Sequence, residues 1–172
     1  MVLLLHEYYK SLFMVASLAH KTPAVILEKL TRLLNALQTV KNNYEQTALR
    51  IRNKQLRLSL LALAQESKQY ANELMAHIET LGGKLNEQAK TDFNKMEPGN
   101  EQPVMMDVKQ DLREMNLGEQ LLMKTYRDIL NEPFLYDNIR RIIRYQQNGV
   151  MHCFSQLKML YATLMKTAVD GI

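Results

Sequence analysis

Residues 22–52 read TPAVILEKLTRLLNALQTVKNNYEQTALRIR, and the spacing of their apolar positions decides the fold. Ile26, Leu30, Leu33, Leu37, Val40, Tyr44, Ala48 and Ile51 recur at alternating steps of three and four, which is one face of a helix turned toward a core. Thr22-Pro23 reads as an N-cap hydroxyl followed by proline at the first helical position, so a helix is predicted over 23–52, with Asn53 marking its end. A second helix is predicted over 54–81. Its stripe is Leu60, Ala64, Ser67, Ala71, Leu74, Ile78 and Leu81, and it stops at Gly82-Gly83, where glycine can take the left-handed cap conformation. The two helices form a hairpin.

Further along, residues 84–103 are polar, hold Pro98-Gly99 and Pro103, and keep no period. Residues 82–103 are long for a tight turn but suit a crossover running the length of a bundle, which makes the expected order up-down-down-up. Helices are predicted over 104–130 (Val108, Leu112, Met115, Glu119, Leu122, Tyr126, Ile129) and 133–167 (Ile139, Ile143, Gln146, Val150, Cys153, Leu157, Tyr161, Leu164), with Asn131-Glu132-Pro133 as a short turn. Composition agrees with an all-α bundle over 22–172. Six Gly and four Pro among 172 residues cannot supply the turns of a many-stranded sandwich, and a hydrophobic content of 47% excludes a disordered chain. One cysteine rules out an intrachain disulfide framework.

Residues 1–21 have the helical spacing Leu5, Tyr8, Leu12, Val15 and Ala19, and His6, Glu7 and Lys10 interrupt the apolar run. They read as an extra N-terminal amphipathic helix that docks on the body or on another subunit, not as a membrane span or a signal peptide, and the expected location is the cytoplasm. The net charge is +4, made up of +1 over 1–21, +3 over 22–81, −2 over 82–131 and +2 over 132–172, so no basic stripe dominates and nucleic acid is not the expected partner. Two local clusters, Arg50, Arg52, Lys54 and Arg57, and Arg140, Arg141 and Arg144, leave open a basic module for an anionic partner.

Three polar residues interrupt the stripes: Ser67, Glu119 and Gln146. A carboxylate taken out of water has to be paired, hydrogen-bonded, metal-bound or protonated. Glu119 and Gln146 lie at similar distances on either side of the third turn, so they fall at one height and are expected to form a polar layer that could be joined by a hydrogen bond. Gly118 and Gly149, at the same level, predict close helix approach.

Leu34-Asn35, Tyr44-Glu45, Leu63-Ala64, Tyr70-Ala71, Glu73-Leu74 and Leu81-Gly82-Gly83, together with Gly118-Glu119, Tyr126 and His152, resemble a bacterial ferritin-like family, the domain of unknown function 2383 family, over about residues 30–160. The resemblance implies a ferritin-like four-helix bundle and no established activity. Metal-binding members of the wider fold use a Glu on each of two helices and Glu-x-x-His on each of the other two. Here Glu119 precedes Tyr126 by seven residues, but the position seven before Tyr44 is Leu37, Ser67-Lys68-Gln69-Tyr70 stands where one pair belongs, and Gln146 leads to Gly149. No cofactor is therefore expected; the alternative is a degenerate iron site around Glu119 and Glu45. His77 and His152 read as surface or half-buried residues, and Cys153 as an inert core thiol. Eleven methionines and the apolar run Met159 to Met165 point to a self-association face, so the expected function is a non-catalytic homo-oligomer or partner-binding protein.

Overall fold

A side-chain cap divides the first helical hairpin and two glycines end it where the sequence expects. In the computed structural model, which describes the backbone of residues 2–85 and 108–169 and the side chains of 23–85, 113 and 115–163, there are four helices and no strand among the described residues. They are α1 (Val2–Arg50), α2 (Lys54–Thr80), α3 (Val108–Leu130) and α4 (Asp137–Val169). Asn53 stays extended and its Oδ1 accepts the Leu56 N–H at 2.9 Å, so the break between α1 and α2 is also the N-cap of α2. At the far end Gly82 has φ of 80°, and the N–H groups of Gly82 and Gly83 donate to the carbonyls of Glu79 and Ile78.

Two helix starts differ from expectation. α1 does not begin at Thr22-Pro23; it runs from Val2 through Pro23, which lies inside it. Proline at a first turn and proline inside a helix look alike in sequence, because both lack the N–H and share a helical φ; the helical spacing on either side extends the helix through it. Residues 2–21 therefore continue α1 instead of forming a separate helix, and their docking lies outside the described residues. α4 begins at Asp137, not at 133. Pro133 sits in the turn instead, where Leu135 N–H donates to Glu132 O and the Arg140 guanidinium donates to the carbonyls of Leu130 and Glu132 at 2.5 and 2.7 Å. Those bonds satisfy the last carbonyls of α3.

The helices pack in a square. α1 lies against α2 and α3, and α4 closes the other side against the same two. α1 and α3 are antiparallel, since Lys29 meets Glu132 while Tyr44 meets Glu119. α2 and α4 are antiparallel too, with Glu73 on Gln146 and Glu66 on Cys153. Gly83 lies beside Leu27, so α2 ends at the level where α3 also ends. Most of the expected crossover lies outside the described residues. Ile26, Leu30, Leu33, Leu37, Leu60, Leu74, Leu122, Tyr126 and Ile129 form the core. Val108, Leu112 and Leu164 of the expected stripes are outside the described side chains.

Close approach explains both mid-helix glycines. A Cβ on Gly149 would stand 2.3 Å from the Tyr70 hydroxyl, and one on Gly118 would stand 3.2 Å from Asn43 Nδ2. Gly149→Ala is therefore expected to destabilise the protein by about 1–3 kcal/mol despite alanine's better helix propensity. Urea unfolding measures this, and a more stable variant would show that α2 and α4 are not in contact there.

Candidate functional site

Polar side chains enter the bundle from all four helices. Ser67, Glu119 and Gln146 are buried, as are Lys41 and Thr47. Glu119 and Gln146 do not bond to each other. Glu119 Oε1 accepts the Tyr44 hydroxyl at 3.0 Å, while Gln146 Nε2 donates to Glu73 Oε2 at 2.9 Å and to the Tyr70 carbonyl at 3.3 Å. The shared height drawn from chain length does not hold: Glu119 stands level with Phe154 and Lys158, about two turns or more along α4 from Gln146, and each side chain faces the helix of the other hairpin that packs beside its own. Glu45 does not join Glu119 either: its Oε2 accepts from Lys41 Nζ at 2.9 Å, one turn back on α1.

Sequence reasoning passed over Glu66 and Glu73, which stand one residue before Ser67 and Leu74 on the shoulder of the α2 stripe. Glu66 accepts from the Tyr70 hydroxyl at 2.5 Å and from the Cys153 thiol at 2.8 Å. The signal was a pair of sevenfold spacings, Glu66 to Glu73 and Gln146 to Cys153, which an antiparallel register brings face to face. Desolvation first, and then the bond to Glu66, push the Cys153 thiol up to about 12. The same order of causes raises the Tyr70 phenol, and burial followed by the adjoining Glu119 raises Tyr44. Each acts as a proton donor to a carboxylate, and none is poised as a nucleophile or base.

Tyr126 is different. Its hydroxyl is buried, has no hydrogen-bond partner among the described residues, and is raised in pKa chiefly by burial. After burial, the influences on it come from Tyr70, Glu66 and Glu73 of α2, which already bond to one another, to Cys153 or to Gln146. His77 is half-buried in the last turn of α2, and His152 is exposed with its Nε2 2.8 Å from Gln156 Nε2. Among the described residues no three His, Cys, Asp or Glu side chains are gathered as metal ligands. Arg140, one of the expected anion-binding residues, holds the end of α3 instead.

Outside this interior, α3 and α4 leave an open groove of about 580 Å³ lined by Leu117, Leu121, Met123, Phe154 and the cations Lys124, Arg127 and Lys158. Glu119 forms its floor. Glu119 Oε2 has no hydrogen bond, but Lys158 Nζ stands 3.2 Å above it as an ion pair, with the Lys158 side chain 64% exposed and that of Glu119 5% exposed. A smaller hollow of about 190 Å³, lined by Met115, Leu157 and Tyr161, lies on the other side of Lys158. The arrangement offers an apolar trough with a cationic rim and a single carboxylate beneath it.

No family model matches this sequence, and no curated protein matches it. No described helix is long and apolar enough to cross a membrane.

Two measurements test the interior. Tyr126→Phe removes a buried hydroxyl that lacks a partner and is expected to leave stability unchanged or raise it by about 1 kcal/mol in urea unfolding; a loss would mean that the hydroxyl is bonded. Because the folded thiol is held neutral well above pH 8, Cys153 is expected to react with a disulfide reagent at pH 8 roughly a hundredfold more slowly in the folded protein than in urea. The rate should climb only as pH rises toward the raised pKa. Equal rates would place the thiol away from Glu66.

Proposed function

We propose that this chain is a non-catalytic, cytoplasmic, ferritin-like bundle that works by association, as a homo-oligomer or with a protein partner. The antiparallel registers of α1 with α3 and of α2 with α4 support an up-down-down-up order, which a ferritin-like bundle requires. One observation carries the reading of function: the buried and half-buried carboxylates between the helices already hold protein donors, while sizeable apolar side chains face outward. Glu66 accepts from Tyr70 and Cys153, Glu73 from Gln146, and Glu119 from Tyr44 beneath the Lys158 ammonium. A ferritin-type pair of irons needs carboxylates from four helices with a histidine on two of them. The residues do not fit that centre, because Leu37, Gln146 and Cys153 stand on the facing stripes and no three His, Cys, Asp or Glu among the described residues are gathered as ligands. Meanwhile Leu117, Leu121 and Met159 are exposed on α3 and α4.

Elemental analysis after anaerobic loading with ferrous iron and desalting, run beside Glu119→Ala and paired with the solution mass, tests this reading. The expected result is substoichiometric iron that the substitution leaves unchanged. About two ions per chain, lost in Glu119→Ala, would overturn it in favour of a ferritin-type centre.

A further inference from the structure

We propose that the groove between α3 and α4 is a docking site for an acidic amphipathic helix of a partner protein. The proposal rests on the association reading above and names its surface and its partner. Leu117 and Leu121 are one helical turn apart and 65% and 51% exposed, so they form a short apolar ridge along the groove. Met123, half-buried, and Phe154, 6% exposed, line the base of the groove toward α4. An open trough along two helices suits a third helix anchored by residues at i, i+3, i+4 and i+7, whereas a small ligand would want enclosure on most sides.

Charge selects the partner. Lys124, Arg127 and Lys158 line the trough, and its one acidic lining residue, Glu119, is buried against Tyr44. Lys158 meets Glu119 at 3.2 Å on one side only and its side chain is 64% exposed, so ammonium protons remain available to a second carboxylate arriving from outside. A second copy of the chain fits poorly, because a twofold contact on this face would bring the same three cations together. A nucleic acid would meet leucines at the centre of the footprint, where phosphates and bases find no partner.

The test uses two fluorescein-labelled synthetic helical peptides with leucine at i, i+3, i+4 and i+7, one bearing glutamate and the other lysine at the remaining positions. Their binding to the full chain is followed by anisotropy. The glutamate peptide is expected to bind at least about tenfold more tightly than the lysine peptide, with affinity falling as salt rises. Leu121→Asp should weaken it by about tenfold or more, and the double variant Lys124→Glu with Arg127→Glu should abolish or invert the preference. Both alter exposed side chains, and circular dichroism checks that helicity is kept; if Leu121→Asp does not fold, the charge variant still decides. Equal affinity for the two peptides, or binding that neither variant changes, would overturn the proposal. If the glutamate peptide fails to bind and Leu121→Asp lowers the solution mass, a second copy covers the groove: the docking proposal falls and association stands. If it fails to bind and Leu121→Asp releases the chain from anionic phospholipid vesicles, a lipid surface takes its place. Failure of the peptide with a monomeric chain that ignores vesicles would overturn both this proposal and the association reading.

Discussion

The hydrogen bond from Tyr44 to Glu119 is the constraint around which the bundle is organised. A carboxylate removed from water between two helices must find a donor, and the phenol that supplies it comes from the other hairpin. Loops set the order of helices within a hairpin, but they do not set how one hairpin slides along the other. The Tyr44–Glu119 bond helps fix that slide, because a shift of α3 by one turn would leave a buried carboxylate and a buried hydroxyl both unpaired. Gly118 lies one residue before Glu119, and the space it leaves beside Asn43 lets the two backbones come close enough for the bond.

The second pair of facing helices uses the same device with different chemistry. Glu66 and Glu73 of α2 meet Cys153 and Gln146 of α4, and Tyr70 fits under Gly149 between them. Every donor in these pairs keeps its proton under ordinary conditions, so the acids are stabilised as hydrogen-bond acceptors without a counterion in the core. A bundle built this way has register specificity and little chemical reactivity. Tyr126 marks the place where the pattern is incomplete: its hydroxyl is buried near Tyr70, Glu66 and Glu73 without a hydrogen bond to any of them.

On the surface, sequence clusters divide once they are folded. Arg140, Arg141 and Arg144 look like one basic patch along the chain, yet the first is turned back onto the carbonyls that end α3. Lys158 lies 31 residues beyond Arg127 in sequence, yet it lines one trough with Lys124 and Arg127 around Leu117 and Leu121. Local charge density is thus a poor guide to electrostatic surfaces in a helical bundle, because neighbours in sequence point in different directions about the helix axis.

The sequence by itself determined the all-helical architecture, the stripes that face the core, the Asn53 and Gly82-Gly83 boundaries, and the need of Glu119 for a partner. These follow from local spacing and capping, which act within a turn or two of the chain. It misplaced two helix starts, because Pro23 and Pro133 carry the same local signal whether they start a helix, continue one or occupy a turn. Only the tertiary structure decided that Glu119 turns to Tyr44 and Gln146 to Glu73, and that the half-buried Glu66 and Glu73 turn toward α4. It also made an apolar, cationic trough of α3 and α4. Such pairings depend on the register between helices far apart in sequence, and a helix's own periodicity says which face is buried without saying what it meets.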